Sequence, residues 1–196
     1  MNFGVVAIVG TGLIGGSIGL GLKERGLATT IIGVGYRKVS INKALKINAI
    51  DEGTLKVEDA VKQADIIILA TSVNLIPEYA KKIIPLMKKS AILTDVGSTK
   101  DYIVSQVNNE IKSTCDGEKP NFIGAHPLAG SEQRGIESAR PDLFEGSVCV
   151  LTPTSLNSKK SITRLSNMWK ALGAKISVLT PSKHDEALAL VSHLLH

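Results

Sequence analysis

The sequence predicts an α/β protein built on a doubly wound, mostly parallel sheet with helices on both faces. Strand-like and helix-like segments alternate along most of the chain, and several of the strand segments are continuous apolar runs. That is the pattern of strands buried on both sides. Composition agrees. The 196 residues are 43% hydrophobic, 21% charged and only 4% aromatic, so aliphatic side chains fill one sizeable core, or one domain and the start of another.

The elements follow in order. Phe3 to Val9 is short, rich in Val and Ile and bounded by glycine, as a buried strand is. A helix is expected over Leu13–Arg25, ending near Gly26, and a second strand over Thr29–Val34. Ser40–Ile47 has helical composition, with Ser40 as its N-cap. A helical piece near Val57–Ala64 leads into Asp65–Ala70, the strongest buried strand of the chain. Pro77–Met87 is expected as a helix with proline in its first turn. Ala91–Asp95 then reads as a strand, Lys100–Ile111 as a helix and Asn121–Ala125 as a strand that runs into an irregular stretch. Ser147–Thr152, Leu156–Leu172 and Lys175–Leu179 read strand, helix, strand, and Ser182–His196 reads as a helix without a terminating signal. The expected organisation is one domain over residues 1–181, with 182–196 opening a helical domain that the chain does not complete.

Several function classes are disfavoured at once. The formal charge of +5 is spread in ones and twos, without a basic block and with few aromatics to stack on bases, so nucleic acid is not the expected partner. No charge occurs from Met1 to Leu22, yet the stretch lacks the basic start of a secretory signal, and its seven glycines suit a turn between two elements better than a membrane span. A cytoplasmic protein is expected, with Cys115 and Cys149 as two reduced thiols. No grouping of residues suggests a metal.

Gly10-Thr11-Gly12-Leu13-Ile14-Gly15 places a GxGxxG between the first strand and the first helix. There Gly10 permits the tight turn, Gly12 lets backbone approach a pyrophosphate, and Gly15 lets helix pack on strand; the helix N-terminus supplies N–H groups and partial positive charge. The expected fold is therefore of Rossmann type, with NAD or NADP as cofactor. The second strand ends in Gly35-Tyr36-Arg37-Lys38, without the acid that would hold an adenosine ribose. Loss of that carboxylate and the presence of Arg37 favour NADP over NAD; alternatively Arg37 and Lys38 are solvated loop charges. After the central strand, Thr71-Ser72-Val73 either line the nicotinamide half of the cofactor or form an ordinary loop.

Asp95-Val96-Gly97-Ser98-Thr99-Lys100 follows a strand and opens a helix, as a cap or as part of a site. The next strand ends in Gly124-Ala125-His126-Pro127, which puts an imidazole at a carboxyl end of the sheet, where acid–base chemistry near neutral pH is available. Ser98 could hold that ring by one nitrogen and leave the other for a substrate.

The chain resembles the prephenate and arogenate dehydrogenases of tyrosine biosynthesis. The resemblance rests on GTGLIGGS at Gly10–Ser17, DVGSTK at Asp95–Lys100, GAHPLAGSEQRG at Gly124–Gly135, LFEG at Leu143–Gly146, LTPT at Leu151–Thr154 and SHLLH at Ser192–His196, which run in the family's order along the whole chain. It implies oxidative decarboxylation of a cyclohexadienol with NAD(P)+, prephenate giving 4-hydroxyphenylpyruvate or arogenate giving tyrosine. By that resemblance His126 is the catalytic histidine, accepting a hydrogen bond from the substrate hydroxyl, and Ser98 orients it. Gly130, Ser131, Glu132 and His196 belong to the substrate site, with His193 a weaker member. Arg134 and Lys100 are candidates to hold a substrate carboxylate, or are surface charges. The resemblance also implies a homodimer through the helical domain. Leu195 stands where the family usually has proline. The fragment is expected to bind cofactor and turn over poorly. Two other readings are a 3-hydroxyacid-type dehydrogenase, whose catalytic lysine segment is missing here, and a non-catalytic NAD(P)-sensing module, which has no need of a His–Ser pair.

Overall fold

A computed structural model describes residues 1–114, 120–130 and 135–194, with side chains to residue 190. Eight strands, β1 (Val5–Val9), β2 (Thr30–Val34), β3 (Glu52–Thr54), β4 (Ile66–Leu69), β5 (Ile92–Asp95), β6 (Asn121–Pro127), β7 (Val148–Thr152) and β8 (Lys175–Val178), form one sheet in the order β3-β2-β1-β4-β5-β6-β7-β8. All neighbouring pairs are parallel except β6 and β7. The first six strands thus have the Rossmann order, whose direction of winding reverses between β1 and β4.

Among the described residues seven helices cover the sheet: α1 (Leu13–Glu24), α2 (Lys38–Lys46), α3 (Val57–Val61), α4 (Ile76–Ile83), α5 (Asp101–Thr114), α6 (Lys159–Ala171) and α7 (Pro181–Leu194). Alternation along the central strands shows why the runs are unbroken. In β4, Ile66 and Ile68 enter a core shared with Ile18 and Leu22 of α1 and Leu165 and Trp169 of α6, whereas Ile67 and Leu69 enter the opposite core with Ile83 of α4 and Val107 of α5. Each such aliphatic side chain, fully buried, contributes about 1.5–3 kcal/mol. No helix among the described residues is long and apolar enough to cross a membrane.

Four differences from expectation have a local physical cause. β3 has no apolar signature because it is an edge strand with largely exposed side chains, paired with β2 and touching α2. α2 starts at Lys38 with Arg37 in the cap position, and Ser40 is inside the helix, its N–H directed to Arg37 O. α4 stops at Ile83: Ile84 keeps helical angles, but Pro85 has no N–H to continue the ladder. α6 begins at Lys159, where Ser158 Oγ accepts the N–H of Ser161 at 3.1 Å.

Candidate active site

The turn from β1 to α1 is built around Gly10, whose φ of +100° and position against Ala70 O leave no room for a side chain: a Cβ there would lie 2.4 Å from that oxygen. Gly15 packs its α-carbon against the Gly10 carbonyl, a Cβ falling 2.0 Å from it. Gly12 differs from both. A Cβ at Gly12 would meet nothing within 4 Å, so the space over the start of α1 is open. The first turn of α1 contains no acid, so none of its own side chains offsets the positive end of its dipole.

A cleft of about 620 Å³ runs from this turn across the carboxyl ends of β1 and β2. Gly10, Thr11, Gly12, Tyr36, Arg37, Thr71 and Ser72 are among its walls. A second hollow of about 420 Å³ shares Gly12, Thr71 and Ser72 and continues past Leu13, Ile14 and Val73 to Val96, Gly97 and Ser98. Gly15 lies inside the helix–strand contact and Lys38 is the exposed first residue of α2; neither lines the cleft. Thr11 Oγ1 and Thr71 Oγ1 are buried without a hydrogen-bond partner among the described residues, and both belong to the cleft wall. Two shielded hydroxyls beside an open glycine at a helix N-terminus fit the phosphates and ribose of a dinucleotide. At the far end the Arg37 guanidinium stacks 4.8 Å over the exposed Tyr36 ring, and Lys43 is ion-paired with Glu137. That lysine holds the Glu137 carboxyl below its ordinary range.

Ser98 is exposed at the other end, on the loop after β5. His126 stands on the neighbouring strand β6, half-buried, but the structure does not join it to Ser98. Its Nδ1 lies 2.9 Å from Nε2 of His184, on α7. His184 Nδ1 in turn meets Asp185 Oδ1 at 2.7 Å. In place of the expected Ser98–His126 contact there is a histidine–histidine contact between β6 and α7, a helix that packs on α5 and β7. Burial lowers the His126 pKa to about 4, reinforced by His184 and by Lys100 and opposed by Asp185. Burial alone would raise the Asp185 carboxyl, but the N–H groups of Asp101 and Lys100 and the ring of His184 hold it below the usual range.

Lys100 is neither a surface charge nor a group free to meet a substrate. It is fully buried, ion-paired with Asp95 and donating to Ala125 O at 3.0 Å. Cys149 is a buried free thiol whose pKa burial drives upward. Gly130 is exposed, with open space where a Cβ would stand. His193 lies on α7, its side chain outside the described set; Ser131, Glu132, Arg134, Leu195, His196 and Cys115 also lie outside the described residues. Sequence reasoning missed His184 and Asp185. The available signal was arithmetic: the chain has four histidines, and His184 was the one left without a role.

Comparison with known proteins agrees with the geometry. The chain is 32% identical to prephenate dehydrogenase of Bacillus subtilis over 195 residues, covering 97% of this chain and 50% of that protein. The crystal structure of Synechocystis arogenate dehydrogenase superposes with a TM-score of 0.87 at 35% identity, covering 97% of this chain and 64% of that one. That of prephenate dehydrogenase from Aquifex aeolicus, in complex with hydroxyphenyl propionate and NAD+, gives 0.85 at 32% identity, covering 100% of this chain and 71% of that one. The chain spans 39% to 63% of the length of the curated relatives it matches. The family described as "Prephenate dehydrogenase, nucleotide-binding domain" matches residues 18–178, and the chain belongs to it.

Proposed function

We propose that the natural protein oxidatively decarboxylates prephenate or arogenate, and that this chain supplies its dinucleotide site and the histidine that receives the substrate hydroxyl. What supports the reading is one geometric fact: His126 stands one residue from the carboxyl end of β6, next to the strand whose loop carries Ser98 into the wall of the second hollow. When bound, the dinucleotide accepts a hydride from the ring carbon that bears the hydroxyl.

The chain's own residues do the rest. The N–H groups at the start of α1 and the hydroxyls of Thr11 and Thr71 bind phosphate and ribose oxygens. Ser98 borders the second hollow, where its hydroxyl orients the substrate. His126, neutral at physiological pH, accepts a hydrogen bond from the substrate hydroxyl. As the C–H bond breaks, that hydroxyl acidifies toward a carbonyl and the hydrogen bond strengthens, so the contact stabilises the transition state more than the ground state. Carbon dioxide leaves and the ring aromatises, which supplies driving force without a Lewis acid. Gly130, Ser131, Glu132, His193 and His196 are proposed on the substrate side, and a homodimer is proposed for the natural protein.

NADP is the proposed preference. The end of β2 offers no carboxylate, Arg37 is present to pair with a 2′-phosphate, and Glu137 is already matched by Lys43. Titration of both dinucleotides tests this: NADP+ should bind more tightly, and Arg37→Ala should weaken NADP+ about tenfold while leaving NAD+ within about twofold. Tighter NAD+ binding by the unaltered protein would refute it. For the reaction itself, His126→Asn in the natural protein should lose most of kcat with dinucleotide affinity retained.

A further inference from the structure

Around His126 the hydrogen bonds form a directed chain that ends on a carboxylate. Asp185 accepts the backbone N–H groups of Lys100 at 2.8 Å and Asp101 at 2.9 Å, which fix its position at the start of α5. A carboxylate held in this way only accepts, so the 2.7 Å contact with His184 puts a proton on His184 Nδ1. His184 is 1% exposed and its ring stands 5.1 Å from that of His126, inclined at 64°.

One further proton belongs to the short contact between the rings, because two lone pairs at 2.9 Å repel. When the two rings are together neutral, they carry two protons. The first is on His184 Nδ1 and the second lies between the rings, on His126 Nδ1. None is left for His126 Nε2. We propose that His184 and Asp185 are positioning residues for the reaction: they hold His126 in its Nδ1–H tautomer and so leave Nε2 as the lone pair that receives the substrate hydroxyl. The proposal rests on the reading of His126 given above. The groups around the ring are consistent with it. A third proton on Nε2 is opposed by burial, by His184 and by Lys100, and among the described residues only Asp185 favours it; Lys100 itself is matched by Asp95, and Cys149 on β7 is a buried thiol with a raised pKa.

Histidine-selective ¹⁵N NMR of the natural protein without cofactor tests the tautomer directly. Near neutral pH, His126 should show a protonated Nδ1 and an unprotonated Nε2. His184→Leu should give a mixture of tautomers and lower kcat about ten- to a hundredfold, with dinucleotide Kd within about twofold. His184→Gln, whose side-chain oxygen can still accept from Nδ1–H, should restore the single tautomer and most of kcat. Should the buried leucine prevent folding, Asp185→Asn carries the test, since loss of the charge weakens the hold on His184 and should bring the second tautomer into view. An Nε2–H tautomer in the unaltered protein overturns the proposal, as does a tautomer unchanged in both His184→Leu and Asp185→Asn. Full turnover by His126→Asn would sink the enzymatic reading alone, because the tautomer is read without turnover.

Discussion

Lys100 donates to Asp95 in an ion pair from which solvent is wholly excluded, and its ammonium also bonds the carbonyl of Ala125, the residue before His126. Asp95 accepts in addition the N–H of Gly97 at 2.8 Å and of Ala125 at 3.3 Å. Two strands and the loop that leads into α5 are therefore tied through one pair of charges. Taking both charges out of water costs several kcal/mol each, which these contacts offset.

Breaking the pair from one side leaves the other charge buried and unmatched. Lys100→Met or Asp95→Asn should each lower the free energy of unfolding by about 3–5 kcal/mol. The double variant Asp95→Leu/Lys100→Met should lose distinctly less than the sum. Urea unfolding of the three proteins measures this, and a single-variant loss under about 1 kcal/mol would show that water reaches the pair.

The same pair marks a limit of sequence reading. The aliphatic strands were legible because burial on both faces leaves continuous runs such as Ile66–Leu69, and the glycine turn was legible because its spacing is dictated by local geometry. Lysine as a residue type favours the surface, and only the fold brings Ala125 O over the Lys100 ammonium. His184 meets His126 across 58 residues of chain, a contact that no local pattern encodes. β3 escaped for the converse reason, having no buried side to leave a trace.

The glycines of the nucleotide turn make separable predictions. Gly12 has an ordinary φ of −86° and open space beside it, so Gly12→Ala should keep stability within about 1 kcal/mol. The new methyl would occupy the approach to the phosphates, and dinucleotide affinity should fall at least about tenfold. Gly15→Ala instead forces a Cβ to 2.0 Å from the Gly10 carbonyl and should cost about 1–3 kcal/mol of stability. Urea midpoints together with dinucleotide titrations distinguish the two. Wild-type affinity in Gly12→Ala would mean that no phosphate passes over this turn.

The pH dependence follows from the shielding of His126. Its pKa falls from 6.5 to about 4 in the folded protein, first through burial and then through His184 and Lys100. Between those values the unfolded chain binds a proton that the folded chain refuses, so stability rises with pH across this window. The contribution is fully present above about 6.5 and is lost as pH falls toward 4. The lowered Asp185 carboxyl acts in the same sense at lower pH still. Urea unfolding at several pH values from 7 down to about 4.5 should show declining stability, with a shallower decline in His126→Asn, which has no ring to titrate. The same neutral ring must accept the substrate hydroxyl, so kcat/KM of the natural protein should stay level through neutral pH and fall on the acid side with a limb near 4 rather than near 6.5. A limb near 6.5 that disappears in no His126 or His184 variant would assign the titration to another group. One near 6.5 that disappears in His126→Asn would mean that water reaches the ring, and that His184 does not shield it.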